Sequence, residues 1–277
     1  MKARSLIHFT EFAFVFAVFP AIAQIRSGTV VFAMFTKNDL ILAVDSRANV
    51  DLGGGRSKNR DDQCKLSASN GKVIFAVAGL SQMDGPGGFD FVDTARMVAS
   101  GVEVKSRSDL ERLADSWALR TRATFKRISH DREWATVPGL GKPLVVGIFA
   151  SRDSNGNIMI SETNVTHVAN SEPFTSAKTE DWGYGGNQYA ARYIAGYGRD
   201  AISELYAGKT ERAKANSVLA KRLKSTVTVS DMERTTIEFC QLVARWYPNE
   251  VGGPIDQVHL GPHGIEWLHR KQNCAGK

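Results

Sequence analysis

Two short apolar runs separated by four polar residues restrict the fold of this chain more than any other feature. Residues 29–35 and 40–44 are apolar except for Thr29, and Thr36-Lys37-Asn38-Asp39 lies between them. Continuous apolar runs of this length are typical of strands that are covered on both faces. Asn and Asp favour turns because their side chains can hydrogen-bond to the nearby backbone. The sequence therefore predicts a buried β-hairpin over residues 29–44.

Strands and helices alternate along the rest of the chain. The 277 residues include 43% hydrophobic residues, which is enough for a sizeable core, and no repeat or linker divides them. We therefore expect one α+β domain over residues 29–277. Further strands are predicted at 64–67 and 72–79, which form a second hairpin, and at 143–150 and 158–163, with a terminal hairpin at 255–260 and 264–268. Helices are predicted at 91–98, from 108 through Leu119, at 187–223 and at 230–245.

The N-terminus has the pattern of an export signal. Two basic residues precede an apolar run at residues 12–19, and Ala21 and Ala23 supply the small residues that a signal peptidase selects. The run is shorter than the about 20 apolar residues that span a bilayer. We predict a signal peptide at residues 1–23, a secreted or periplasmic protein, and no stable membrane span after its removal. The alternative is an uncleaved anchor.

Charge and cysteine content exclude some classes of site. The formal net charge of +6 is spread along the chain without an aromatic-plus-basic motif, so no nucleic-acid partner is predicted. The spacing of metal ligands is absent from the three cysteines, Cys64, Cys240 and Cys274. Among the histidines, only a weak pair in the terminal hairpin approaches such a spacing. No metal or organic cofactor is therefore predicted. Two of the cysteines could pair in an oxidising compartment, but the sequence does not select the pair, and buried unpaired thiols are an equal alternative.

Three residues have the chemistry of a hydrolase that uses its own N-terminal amine. The hydroxyl of Thr29 is a poor nucleophile without a base, and a free α-amine has a pKa of about 7.7–8.0, so it can act as that base. The ammonium of Lys65 would lower the pKa values of both groups, and the carboxylate of Asp45 would hold that lysine.

The spacing of these residues resembles that of a known family. Gly28 precedes Thr29, Asp45-Ser46-Arg47 begins sixteen positions after Thr29, and Gly79 follows Lys65 by fourteen positions. This set is similar to the start of proteasome β-type subunits, which are N-terminal nucleophile hydrolases. The resemblance implies a four-layer αββα sandwich. It also implies roles for each residue: Thr29 as nucleophile and base, Asp45 and Lys65 as the polarising pair, and Gly79 as oxyanion donor.

The same resemblance implies a substrate and a maturation step. The substrate is a peptide or amide, cleaved through an acyl-enzyme intermediate, and homo-oligomers are possible. Residues 24–28 form a short propeptide, which the hydroxyl of Thr29 removes by attack on the carbonyl of Gly28. The substrate positions of the family align with Val77, Ser81 and Asn49, which predicts an apolar pocket floor and a hydrophobic residue before the scissile bond.

Two segments depart from the family pattern. The polar residues that support the threonine in active subunits are replaced by Gly185 in one segment, and by Pro248 and Val251 in the other. Asn249 or Glu250 could substitute for them if the second segment shifts. The alternative function is therefore a noncatalytic proteasome-like scaffold that binds a partner or assembles with itself.

Overall fold

The computed structural model describes residues 25–51, 57–69, 72–83, 88–131, 143–168, 174–183 and 189–274. The strands in chain order are β1 (Ile25–Ser27), β2 (Val30–Phe35), β3 (Leu40–Val44), β4 (Ala48–Asp51), β5 (Ser57–Arg60), β6 (Leu66–Ser69), β7 (Val73–Gly79), β8 (Gln82–Met83), β9 (Phe89–Asp90), β10 (Pro143–Arg152), β11 (Ile158–His167), β12 (Phe174–Gly183), β13 (Ala191–Gly196), β14 (Asp256–Gly261) and β15 (Gly264–His269). The helices are α1 (Phe91–Ala99), α2 (Arg107–Asp131), α3 (Gly198–Ala207), α4 (Glu211–Ala215), α5 (Ser217–Ser225) and α6 (Val229–Trp246). A short 3-10 helix spans Gln272–Cys274.

Two of the sheets bury the apolar runs that the sequence analysis identified. Their strand orders are β13-β2-β3-β14-β15 and β12-β11-β10-β7-β6, and every strand pair is antiparallel. The predicted hairpin is confirmed, since β2 and β3 pair in register from Val31–Val44 to Phe35–Leu40. All residues of both strands are buried, because each strand has an apolar cluster on both of its faces.

Helices cover the other face of each of these sheets. Helices α1 and α2 pack on the sheet that contains β7 and β10, around a cluster that includes Phe91, Trp117 and Phe149. The Nε1 of Trp117 donates to the Phe91 carbonyl at 2.9 Å. On the other sheet, Phe239 of α6 packs against Phe32 with ring centroids 4.4 Å apart. These contacts fix the hairpin β2–β3 between its neighbours.

A third sheet corrects the predicted architecture. The order of this sheet is β5-β4-β1-β8-β9, and it is also antiparallel. The prediction of a four-layer αββα sandwich is therefore wrong: the chain is a mixed α+β protein with three antiparallel sheets. The extra sheet forms because short segments before Thr29, after Arg47 and after Leu80 pair with one another, whereas the sequence analysis assigned no strands there.

Several local predictions are confirmed and others are wrong. The helices α1 and α6 and the terminal hairpin β14–β15 agree with the sequence patterns. Residues 191–196 were predicted to be helical but form β13, which pairs with β2 and buries Tyr193. Leu119, an apolar residue of the predicted helix, is 53% exposed on α2. The predicted signal peptide and the position of Gly185 lie outside the described residues.

The cysteines pair in one of the ways that the sequence left open. Cys64 and Cys274 form a disulfide across a sequence separation of 210 residues, while Cys240 is a free buried thiol. None of the helices in the described part of the chain combines the length and hydrophobicity of a bilayer-spanning segment.

Candidate active site

Thr29 lies immediately before β2 and is only 1% exposed. Its backbone carbonyl accepts a hydrogen bond from the Tyr197 N–H at 3.0 Å, and its Oγ1 donates to the carbonyl of Gly28. Gly28 has a φ of +94°, and a Cβ at this residue would overlap the carbonyl oxygen of Glu250. The bend at Gly28 therefore requires glycine, and it brings the hydroxyl of Thr29 against the preceding peptide group.

Asp45 directly follows β3, the second strand of the hairpin, and both oxygens of its carboxylate accept hydrogen bonds. Its Oδ1 accepts from the Val30 N–H at 2.9 Å, and its Oδ2 accepts from the N–H groups of Arg47 and Gly252, each at 3.1 Å. Three backbone donors and burial to 1% exposure fix this carboxylate next to Thr29. A carboxylate held in this way can orient a cation without moving itself.

Lys65 is the cation that meets this carboxylate. Its side chain is 1% exposed, and its Nζ lies 3.3 Å from Oδ1 of Asp45. The same Nζ donates to the carbonyls of Gly28 and Arg47. An ammonium has three donors, and these three acceptors use all of them. The predicted residues Thr29, Asp45 and Lys65 are thus brought together around the Gly28 carbonyl.

Burial changes the proton affinity of both charged groups. Burial raises the pKa of Asp45 above its ordinary value, although the charge of Lys65 and the backbone donors of Gly252 and Val30 oppose the rise. Burial likewise lowers the pKa of Lys65, against the attraction of Asp45. A lysine with a lowered pKa exchanges its proton with neighbouring groups more readily than an exposed lysine does.

The loop after α6 supports the site through its backbone, a contribution that the sequence analysis missed. The Gly252 carbonyl accepts from Ser46 N–H at 3.2 Å and from Arg47 N–H at 2.9 Å, and its own N–H reaches Asp45. Pro248 of this loop contributes its carbonyl to the Arg47 guanidinium. Val251 is buried in the core. A backbone donor or acceptor has no residue type, so the sequence could not show that this loop holds Asp45.

Arg47 forms an ion pair with a residue that the sequence analysis did not select. Its Nε and Nη2 reach the two carboxylate oxygens of Asp61 at 2.7 and 2.6 Å. Toward the neighbouring carboxylate of Asp45, Arg47 uses its backbone N–H and not its guanidinium. The Arg47–Asp61 pair therefore braces the loop between β5 and Lys65 against the end of the hairpin.

The segment before the Gly28–Thr29 bond lies in the third sheet as its central strand. In β1, Arg26 and Ser27 pair with Val50 and Asn49 of β4, and Ile25 and Arg26 pair with Met83 and Gln82 of β8. The chain thus enters the site as an extended strand that is paired on both sides.

The remaining predicted residues are placed less directly, and of these the Val77 N–H donates to the Lys65 carbonyl at 3.0 Å. Gly79 ends β7 opposite Val145 with a φ of +88°, so its role as oxyanion donor stays a prediction. Val77 points into the core on the α1–α2 side and is 1% exposed, which does not match the floor of an open pocket. The Oγ of Ser81 is buried and has no hydrogen-bond partner among the described residues. Asn49 is placed by its backbone pairing with Ser27, and its side chain lies outside the described part.

Comparison with known proteins adds no assignment to this geometry. No model of a protein family matches the chain, and none of the curated proteins matches it. In the part of the chain that the structure describes, no three His, Cys, Asp or Glu side chains are grouped so that they could hold a metal ion.

Proposed function

We propose that this protein is an N-terminal threonine hydrolase, similar to proteasome β-type subunits in its reacting groups, that cleaves a peptide or amide bond. The observation that carries the proposal is the contact of both Thr29 Oγ1 and Lys65 Nζ with the Gly28 carbonyl in a buried site. One group is a nucleophile and the other is a cation that would stabilise negative charge on the carbonyl oxygen. Asp45 holds that cation in place.

The first reaction acts on the chain itself. The Oγ1 of Thr29 attacks the carbonyl carbon of Gly28, the Gly28–Thr29 amide bond breaks, and the hydroxyl proton passes to the departing amine. The result is an ester between the Gly28 carboxyl and the Thr29 hydroxyl. Water then hydrolyses this ester, which releases residues up to Gly28 and leaves Thr29 with a free amine. That amine is the general base for later substrates.

The third sheet supports an extended peptide as the later substrate. Removal of β1 leaves the facing edges of β4 and β8, which pair with it in the precursor through Val50, Asn49, Met83 and Gln82. Open strand edges bind extended peptides through backbone hydrogen bonds. A second peptide would place its scissile carbonyl where the Gly28 carbonyl lies. We also propose a secreted or periplasmic location, which the Cys64–Cys274 disulfide supports.

Comparison of the wild-type protein with Thr29→Ala and Thr29→Ser tests the proposal. The mass of the purified chain reports cleavage at Gly28–Thr29, N-terminal sequencing reports the new end, and fluorogenic peptides report hydrolysis. We expect the alanine variant to remain a precursor without activity and the serine variant to retain both reactions at lower rates. A wild-type chain that begins at Gln24 and hydrolyses peptides fully would refute the mechanism. Equal processing and equal biological activity in the alanine variant would favour the scaffold function.

A further inference from the structure

The segment that carries Lys65 has little secondary structure of its own. Residues 61–65 connect β5 to β6 without belonging to a strand. Among the described residues, the backbone of this segment is hydrogen-bonded to the body of the protein at Gln63, whose N–H donates to the Ser46 carbonyl at 3.2 Å, and at Lys65, whose carbonyl accepts from the Val77 N–H at 3.0 Å. The position of the Lys65 side chain therefore depends on what else contacts the segment.

The end of the described chain makes those contacts. Residues 270–274, which we call the C-terminal strap, lie against the segment and bind it at three successive residues. Asn273 Nδ2 donates to the Asp62 carbonyl at 2.8 Å, Lys271 Nζ donates to the Gln63 carbonyl at 2.6 Å, and Cys274 is disulfide-bonded to Cys64. The last of these attachments is covalent and lies one residue before Lys65.

Lys271 connects the strap to the core beside Asp45. Its Nζ lies 2.8 Å from Oδ2 of Asp256, and its N–H donates to Oδ1 of the same residue at 2.9 Å. Asp256 pairs across the sheet with Val44, the residue before Asp45. The side chain of Lys271 is 6% exposed and that of Asp256 is 1% exposed, so both partners of this ion pair are buried.

The strap also has an electrostatic connection to Lys65. Asp45 and Asp61 raise the pKa of Lys65, while burial, which is the largest influence, and the positive charge of Lys271 lower it. A structural strap on a distant surface would have no such influence. The side chain of Gln63 adds a contact to the third sheet, since its Nε2 donates to Oε1 of Gln82 in β8 at 3.0 Å.

We propose that the C-terminal strap positions Lys65 at the Gly28 carbonyl, and that the Cys64–Cys274 disulfide makes this positioning depend on the redox state. The inference rests on the proposed function, in which Lys65 stabilises the reacting carbonyl. Reduction by a dithiol transfers two electrons and two protons to the disulfide, which yields two cysteine thiols and oxidises the dithiol. The strap then keeps only its noncovalent contacts, and the segment gains freedom. Lys271 is a positioning residue in this scheme, since it acts through the backbone that carries Lys65.

The rate of Gly28–Thr29 cleavage in oxidised and dithiothreitol-treated protein is the main measurement. It is followed by mass at a temperature where circular dichroism shows both forms folded. Because displacement of a reacting group by about 1 Å costs about 100-fold in rate, we expect a loss of at least about tenfold on reduction. The double variant Cys64→Ser, Cys274→Ser should be equally slow and insensitive to dithiothreitol, which controls for other effects of the reagent.

Variants at Lys271 separate positioning from general stability. We expect Lys271→Met to slow cleavage and Lys271→Arg to restore part of the rate, since arginine keeps the charge and the donors. Lys214→Met is the matched control, because it removes the exposed Lys214–Glu211 pair on α4, and it should cleave at the wild-type rate. Equal rates for Lys271→Met and wild type would overturn the role of Lys271.

Hydrogen exchange in the Thr29→Ala precursor tests the strap without any catalysis. Reduction should increase amide exchange at residues 61–66 and leave the β10–β11 hairpin unchanged. Unchanged exchange at 61–66, or an unchanged cleavage rate after reduction, would overturn the inference. Failure of the proposed function has a different signature: the oxidised wild-type chain would not cleave at Gly28–Thr29, while the exchange result would still report whether the strap holds the segment.

Discussion

The substitution Gly28→Ala tests the geometry of the candidate site most directly. Gly28 has a φ of +94°, a backbone conformation that L-residues rarely adopt, and residues forced into such regions lose about 1–3 kcal/mol. The added Cβ would also lie ~1 Å inside ordinary contact distance from the Glu250 carbonyl oxygen. Relief of this overlap must shift the Gly28 carbonyl away from Thr29 and Lys65. A shift of about 1 Å costs about 100-fold in rate.

The assay follows the mass of the chain over time and gives a first-order rate constant for cleavage. Gly101→Ala is the matched control: Gly101 has a φ of +76°, but a Cβ there would meet no atom within 4 Å. Both variants should lose unfolding free energy in urea denaturation, whereas only Gly28→Ala should lose cleavage. Cleavage of Gly28→Ala at the rate of the Gly101→Ala control would refute the assignment of the Gly28 carbonyl as the group under attack.

Three further results are expected. Asp45→Asn should lower the unfolding free energy by about 3 kcal/mol in urea denaturation, because it leaves the buried ammonium of Lys65 without its anion; an unchanged midpoint would contradict the ion pair. Hydrogen bonding to Arg47 lowers the pKa of Asp61. The Asp61 carboxylate therefore stabilises the folded protein at pH values above the ordinary Asp pKa, and this stabilisation is lost as the pH falls through the lowered pKa. Denaturation midpoints between pH 6 and about pH 2 should therefore fall less in Asp61→Asn than in wild type, and parallel curves would exclude the pair. Burial raises the pKa of the Cys240 thiol, so iodoacetamide at about pH 8 should modify it only after unfolding, as measured by intact mass.

Spacing along the chain predicted that Thr29, Asp45 and Lys65 lie together, but not which groups hold them there. The hairpin fixes the distance from Thr29 to Asp45, because both residues lie at the same end of paired strands. Lys65 could be placed by its position before a strand. The Gly252 N–H could not be assigned from the sequence, since a backbone donor has no residue type and its loop is more than 200 residues from Asp45.

The third sheet and the side-chain orientation of Val77 show a second limit of prediction from sequence. A strand of three residues such as Ile25–Ser27 has no periodicity to recognise, and it forms only because two other short segments flank it. Val77 lies in a strand that is apolar on both faces, so alternation could not show which face its side chain takes. The cysteine pairing joins positions 210 residues apart, and only the tertiary structure selects it.

The central position of β1 gives the proposed cleavage a thermodynamic consequence. While the Gly28–Thr29 bond is intact, the strand is tethered beside its two neighbours at an effective concentration of about millimolar or more. Cleavage removes the tether without altering a single backbone hydrogen bond between β1 and β4 or β8. The same contacts must then hold a separate peptide at its bulk concentration, which is far lower in dilute solution. One broken bond thus turns a folding equilibrium into a binding equilibrium, and dilution alone separates β1 from β4 and β8.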